Sequence, residues 1–272
     1  MAPIGVFDSG VGGLTVLRAL RDALPAEDFV YLGDTARLPY GTKSPASVVR
    51  YSLQCADALV SRGIRCLVVA CNTASASALE ALRERHPGIP VIGVIEPGAA
   101  AAVSASVSQV IAVVATEGTI AGGAYQRAIH RLNAKAQVIA AACSLFVSLA
   151  EEGWVEGAIA EAVARRYLEP IFARDGALDA APADTLVLGC THFPALGATI
   201  RQVLPPWVRI IDSAATTAAA VAQRLTDAAT PTGRQTGRVR WLATDGAARF
   251  ARVSATFLST PLHADEIEII DL

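Results

Sequence analysis

The chain has 272 residues, of which 53% are hydrophobic, and its formal net charge at neutral pH is −2. This length suffices to bury two cores, and the near-neutral balance argues against a general attraction to nucleic acid or to an anionic membrane surface. The N-terminus has no basic region followed by an unbroken apolar run, and the richest apolar stretch, residues 138–150, is too short to span a bilayer. We therefore expect a cytoplasmic protein that binds neither nucleic acid nor membrane.

Short apolar runs alternate with helical patterns along the whole chain. Several runs are apolar at every position, which is typical of parallel strands covered by helices on both faces. The fold class is therefore α/β. The predicted strands are Ile4–Phe7, Phe29–Leu32, Cys66–Ala70, Val91–Ile95, Val110–Ala115, Gln137–Ala140, Thr185–Leu188, Val208–Ile211 and Arg238–Leu242.

One helix is predicted in more detail. Ser44 followed by Pro45 is a typical helix start, because the serine side chain can cap and proline suits the first turn. The apolar face of this helix is predicted at Val49, Leu53, Ala56 and Val60.

Two segments of the sequence read alike. Val68–Thr73 and Val187–His192 each contain the end of a hydrophobic strand, a small residue, a cysteine and polar residues. This similarity predicts two similar parallel-sheet lobes around a central cleft, since ligands of open α/β sheets bind at the carboxyl ends of the strands. We expect a first domain at 1–97 plus about 207–272 and a second at 98–206, so that the C-terminal segment returns to the first lobe.

The five cysteines fall into two groups. Cys55, Cys66 and Cys143 lie inside apolar runs and are predicted to be small buried residues. Cys71 and Cys190 instead lie where a strand ends and a helix begins, a position at which backbone N–H groups favour a thiolate. Because polar residues follow both of them, we interpret these two thiols as chemical groups rather than core residues.

Other polar segments are more ambiguous. The glycines of Asp8–Gly13 allow the backbone to hold a carboxylate, but an ordinary tight turn with a helix cap explains them as well. Gly33–Gly41 is either a ligand loop with an aromatic wall or a surface loop. Glu151 and Glu152 are predicted at a solvated helix surface, with reach into the cleft left open for one of them. A solvated basic face is predicted for Arg234, Arg238, Arg240, Arg249 and Arg252.

The following segments, taken together, closely resemble the glutamate racemase family of aspartate/glutamate racemases: Asp8–Gly13, Gly33–Gly41, Ala70–Ala76, Gly93–Gly98 and Gly189–Pro194. The resemblance implies a two-domain α/β isomerase that interconverts L- and D-glutamate without a cofactor. It also implies that the product supplies peptidoglycan synthesis, and therefore cell wall biogenesis and cell shape, and that the protein is a homodimer.

The resemblance also implies roles for individual residues. Cys71 exchanges the α-proton of D-glutamate with help from Asp8, and Cys190 exchanges that of L-glutamate with help from His192. The implied substrate-binding residues are Ser9, Tyr40, Gly41, Asn72, Thr73, Thr116, Thr119 and Thr191. The chain departs from the family at Cys143–Ser148, where two family prolines are serines, so the resemblance leaves open the path of this loop and any active-site role of Glu151.

The chemistry of racemisation also favours two thiols as acid–base groups. Inversion of an α-carbon removes a proton from one face and returns one to the other, which a single base cannot easily do. A free thiol has a pKa of about 8.5, so thiol and thiolate can coexist near neutral pH.

Four alternative functions compete with this interpretation. A pyridoxal-phosphate enzyme needs a Schiff-base lysine, and neither Lys43 nor Lys135 follows a strand beside a phosphate loop. A zinc site could use Cys71, Cys190 and His192 but lacks a further convincing ligand. We therefore expect no cofactor and no metal. An aspartate racemase and a non-catalytic amino-acid-binding module stay open as alternatives, although the second leaves the two thiols unexplained.

Overall fold

A computed structural model describes residues 2–172, 181–226, 236–258 and 260–272. Its strands form two separate sheets in which every pairing is parallel. The first sheet has the strand order β10-β9-β2-β1-β3-β4. Its strands are β1 (Ile4–Asp8), β2 (Phe29–Gly33), β3 (Cys66–Val69), β4 (Val91–Gly93), β9 (Val239–Ala243) and β10 (Ile267–Ile269).

The second sheet has the order β6-β5-β7-β8. Its strands are β5 (Val110–Ala115), β6 (Gln137–Ala142), β7 (Thr185–Gly189) and β8 (Arg209–Asp212). In both sheets the strands beside the cleft, β1 and β3 in the first and β5 and β7 in the second, pair in parallel, so their carboxyl ends lie at one edge. The predicted fold class, two parallel-sheet α/β lobes with a C-terminal return to the first, is confirmed.

Helices connect the strands. In chain order they are α1 (Leu14–Ala23), α2 (Pro45–Val60), α3 (Asn72–Ser77), α4 (Leu79–Arg85), α5 (Ile95–Ala105), α6 (Glu117–Ala121), α7 (Ala124–Leu132), α8 (Leu145–Glu151), α9 (Ala158–Phe172), α10 (Gly197–Val203), α11 (Ser213–Thr226) and α12 (Ala247–Ser254). The lobes meet where α11 packs against α1 and α5. One hydrophobic cluster contains residues of both sheets, such as Val6 and Val113, so the lobes share apolar packing.

The predicted helix start at Ser44 is confirmed, because its side chain accepts a hydrogen bond from the N–H of Ser47 and Pro45 occupies the first turn. The buried face, however, is centred one residue earlier than predicted. Its buried residues are Val48, Ser52, Cys55, Ala56 and Leu59. The pattern misled because serine and cysteine carry little hydrophobic signal, whereas the flanking valines and leucine are only partly buried at the margin of the same face.

The chain returns to the first sheet later than expected. The predicted junction lies at about residue 207, but β8 pairs with β7 in the second sheet, and β9 is the next described strand of the first sheet. Pro205 and Pro206 follow the end of α10, where proline is common because it cannot continue a helix. The division into domains 1–97 plus 207–272 and 98–206 otherwise stays a prediction.

Two further differences concern strand ends. The predicted strand Val91–Ile95 stops at Gly93, because Val94 already caps α5. Sequence reasoning did not find β10, a three-residue edge strand beside β9. In the described part of the chain, none of the helices combines the length and the apolar character needed to cross a bilayer.

Candidate active site

Cys71 lies two residues beyond the end of β3 and caps α3. Its Sγ accepts a hydrogen bond from the N–H of Ala74 at 3.5 Å, and its thiol donates to Ser9 Oγ at 3.6 Å. Burial, aided by the nearby charge of Asp8, raises the pKa of the Cys71 thiol to about 12 despite these two contacts. The thiol therefore keeps its proton in this closed form of the site.

Asp8 ends β1 beside this thiol and is fully buried. Its Oδ2 accepts a hydrogen bond from the N–H of Gly10 at 2.9 Å. Among the described residues, Oδ1 has no hydrogen-bond partner. Burial raises the pKa of Asp8, and the charge of His192 and the backbone N–H groups of the loop oppose that rise. A buried carboxylate with a free oxygen next to a thiol can take up or release a proton locally.

Cys190 occupies the equivalent position after β7 in the second sheet. Its Sγ is 3.8 Å from Nδ1 of His192, and Nε2 of His192 is 3.3 Å from Oε1 of Glu151. Oε2 of Glu151 in turn accepts from Nη2 of Arg249 at 2.7 Å. The second thiol thus begins a chain of four side chains, in which Cys190, His192 and Glu151 can exchange protons while Arg249 stays protonated and only donates hydrogen bonds.

The proton on His192 is held firmly. Burial lowers the pKa of this imidazole, but hydrogen bonds to Cys190 and Glu151 and the charges of Cys190 and Asp8 outweigh it and raise the pKa to about 10. Correspondingly, the contacts with His192 and Arg249 outweigh burial and lower the pKa of Glu151. At neutral pH His192 is therefore an imidazolium beside a carboxylate. Its positive charge can stabilise a negative charge on the Cys190 sulfur.

The two lobes close tightly over the thiols, which are only 5% and 6% exposed. The loop after β1 approaches the second lobe so closely that a Cβ on Gly12 would lie 2.4 Å from Nδ1 of His192. Thr15 Oγ1 also donates to the carbonyl of Thr191 at 3.0 Å. A ligand therefore enters only when the lobes separate, as in enzymes that close over their substrates.

A second approach joins the lobes on the other side of the site. A Cβ on Gly41 would lie 2.7 Å from Cβ of Thr116, so only glycine fits there. Beside it the hydroxyls of Thr73, Thr116 and Thr119 form a triangle with 3.1 Å sides. Hydroxyl groups that bond to one another can each turn to donate to or accept from a small polar ligand.

Asn72 and Tyr40 are placed differently. Asn72 Nδ2 donates to the hydroxyl of Tyr125 across the lobes at 2.8 Å, while its buried Oδ1 has no partner among the described residues. The Tyr40 hydroxyl donates to Asp34, and its ring is fully buried. This leaves the backbone of Tyr40–Gly41, rather than the phenol, as the part of the loop that meets the second lobe.

The residues that the resemblance assigned to catalysis and substrate binding lie beside the two thiols or in the loops that close over them, and the structure adds others. Glu151 was predicted at a solvated surface, with reach into the cleft left open; its side chain is 13% exposed and contacts His192. Glu152 is exposed. Arg249 was predicted on a solvated basic face but contacts Glu151, while Arg234 lies outside the described residues. Within the described ranges, no group of three or more histidine, cysteine or carboxylate side chains is arranged to hold a metal ion.

Comparison with known proteins places this site in a class. The sequence model of the Asp/Glu/Hydantoin racemase family matches residues 4–221. A curated glutamate racemase of Geobacter metallireducens is 51% identical over 261 residues, which cover 95% of this chain and 93% of that protein. The chain belongs to the Asp/Glu/Hydantoin racemase family, and the predicted isomerase class is confirmed.

Among solved structures of that family, the chain is similar to glutamate racemases. The glutamate racemase of Francisella tularensis in complex with D-glutamate is 36% identical, with a TM-score of 0.89, and the match covers 99% of this chain and 97% of that one. A glutamate racemase isoform of Bacillus anthracis is 35% identical, with a TM-score of 0.91 and coverage of 100% and 98%. The resemblance to the glutamate racemases inferred from the sequence is confirmed.

Proposed function

We propose that this protein interconverts L- and D-glutamate by a cofactor-independent mechanism with two cysteine bases, and that its D-glutamate supplies peptidoglycan synthesis. The observation that carries the proposal is the placement of Cys71 and Cys190, which follow strands of different sheets and are both buried beside the loop after β1. Their charges are close enough that Cys190 contributes to the pKa of Cys71. The glutamate racemases named above support the choice of substrate.

In the proposed reaction from L-glutamate, the Cys190 thiolate takes the α-proton and the Cα–H bond pair stays on the substrate as a carbanion. The Cys71 thiol then donates its own proton to the opposite face, and the reverse direction exchanges the two roles. The substrate's ammonium group brings a positive charge into the site, and such a charge lowers the pKa of a neighbouring thiol. Asp8 assists proton exchange at the Cys71 sulfur, and His192 assists it at the Cys190 sulfur. The hydroxyls of the opposing loops hold the substrate's carboxylates.

The decisive experiment is a single turnover of L-glutamate in heavy water with chelator-treated protein. We expect the D-glutamate product to carry solvent deuterium at the α-carbon, while the remaining L-glutamate stays protiated. A single base that shuttles one proton would return original hydrogen to the product, and that result would refute the two-base mechanism. Activity that is lost in chelator and restored by zinc would refute the metal-free chemistry.

Substitution of each thiol is the complementary test. Cys71→Ser and Cys190→Ser should each lower the rate in both directions by about a hundredfold or more, because each direction needs one acid and one base. Cys66→Ala is the matched control, since it removes a buried thiol from β3 without touching the site. A near-normal rate in either serine variant would return that cysteine to the role of a small buried residue.

Aspartate is the competing substrate. We expect kcat/KM for glutamate to exceed that for aspartate by a large factor, because a carboxylate one methylene too short leaves polar groups of the site unpaired. Comparable turnover of both would favour the aspartate racemase alternative, and binding without turnover would favour a binding module. Homodimer formation also stays a prediction, which light scattering of the purified protein tests.

A further inference from the structure

The C-terminal helix of the first lobe touches the acid–base groups of the second. Helix α12 follows β9 of the first sheet, and it carries Arg249. Helix α8 follows β6 of the second sheet and ends at Glu151. The 2.7 Å ion pair between Arg249 Nη2 and Glu151 Oε2 therefore joins elements that belong to different sheets.

A second contact from the same segment reaches His192 itself. The ring of Phe257, just beyond α12, packs edge-on against the imidazole, with ring centroids 5.3 Å apart and an interplanar angle of 87°. The carbonyl of Phe257 accepts from Nη1 of Arg18 on α1 at 3.1 Å, which anchors the ring to the first lobe. The segment thus contacts both the histidine and the carboxylate that bonds to it.

The two carboxylate oxygens of Glu151 have different partners, and this arrangement assigns a role to Arg249. The last torsion of a glutamate side chain is soft, so a carboxylate held at one oxygen only can rotate away from its partner. Here Oε1 is directed at Nε2 of His192 and Oε2 is held by Arg249. Fixing the second oxygen keeps the first aimed at the imidazole.

We propose that Arg249 is a positioning residue for proton transfer at Cys190, and that it locks Glu151 onto His192 only when the lobes are closed. The proposal rests on the racemase function proposed above. The Arg249 side chain is half exposed and the Glu151 side chain is 13% exposed, so separation of the lobes lets water and salt screen the pair. The acid–base chain of the second thiol is then complete in the closed form and incomplete in the open one.

The test uses the two enantiomers labelled with deuterium at the α-carbon. Because the equilibrium constant of a racemisation is unity, any variant must lose kcat/KM equally in both directions. The primary isotope effects on the two enantiomers instead show which of the two cysteines the substitution impairs. If Arg249 serves Cys190, Arg249→Gln should raise the isotope effect on L-glutamate, whose bond is broken at Cys190, and lower that on D-glutamate. We expect kcat/KM to fall about three- to tenfold, as suits a partly exposed ion pair.

Two matched variants control for charge and folding. Arg252→Gln removes an exposed arginine one turn along α12 and should leave both isotope effects at the wild-type values. Arg249→Lys keeps the positive charge and should restore most of the lost rate and the wild-type isotope effects. The proposal is overturned if Arg249→Gln changes the two isotope effects alike or not at all, or if the lysine variant behaves as the glutamine variant does. A wild-type protein that is inactive on glutamate would overturn the proposed function together with this proposal.

Discussion

Replacing Gly12 with alanine probes the contact that closes the site. Gly12 lies in the loop after β1, and a Cβ at this position would be 2.4 Å from Nδ1 and 2.5 Å from Cε1 of His192. It would also lie 2.5 Å from Oγ1 of Thr191. Because both neighbours are buried, neither can swing into solvent to make room.

The size of the effect follows from these distances. Ordinary van der Waals contact begins at 3.4 Å, so the loop or the imidazole must move by about 1 Å for Gly12→Ala to fit. A displacement of about 1 Å in catalytic geometry costs about a hundredfold in rate. We therefore expect kcat/KM for glutamate to fall about a hundredfold, measured by circular dichroism of the reacting enantiomers.

The control is Gly88→Ala, where a Cβ would meet nothing within 4 Å. It should leave activity and the thermal unfolding midpoint unchanged. Gly12→Ala should leave the unfolding midpoint close to the wild-type value, because the closed lobes can part slightly without unfolding. If Gly12→Ala kept more than half of the wild-type activity, the close approach of this loop to His192 would not belong to the catalytic form.

Two predictions concern stability and its dependence on pH. Burial raises the pKa of Cys66 from 9.0 to about 11, so its contribution to stability is complete below pH 9.0 and is lost as the pH rises towards 11. Urea unfolding across that range should show stability falling, and Cys66→Ala should flatten the fall. Hydrogen bonds from Ser106 and the backbone of Ser108 outweigh burial and lower the pKa of Asp184 from 3.8 to about 2, so its contribution is present above pH 3.8 and lost towards pH 2. Asp184→Asn should cost about 1 kcal/mol of unfolding free energy at neutral pH with activity unchanged, and equal stability at neutral pH would contradict it.

The strands were predictable because their signal is local. Runs such as Val110–Ala115 are apolar at every position and fully buried, as parallel strands between two helical layers must be. β10 gave no such signal, since it is a three-residue edge strand with Glu268 at its centre. The late return of the chain to the first sheet was hidden for a related reason. A proline pair marks the end of a helix, but it does not show which sheet the next strand joins.

A site residue could be predicted only where the sequence shows both a reactive side chain and its position at a strand end. Cys71 and Cys190 could be selected as candidates because a thiol followed by polar residues at a strand end is unusual in a core. Glu151 and Arg249 could not, because their contacts join residues 41 and 98 positions apart and depend on how the lobes meet. Charged residues on helices are most often solvated, and this expectation held for Glu152 but not for its neighbour.

The acid–base groups of the closed site belong to both lobes, so racemisation depends on how the two lobes meet. Burial raises the pKa of Cys71 to about 12, whereas His192 beside Cys190 has a pKa of about 10 and carries a positive charge. In the closed form the buried first thiol therefore holds its proton. An amino acid would bring its own ammonium group to that side, where a positive charge favours the thiolate. Because Gly12 and Arg249 reach His192 and Glu151 only across the lobe boundary, proton transfer at Cys190 should depend on closure around the substrate.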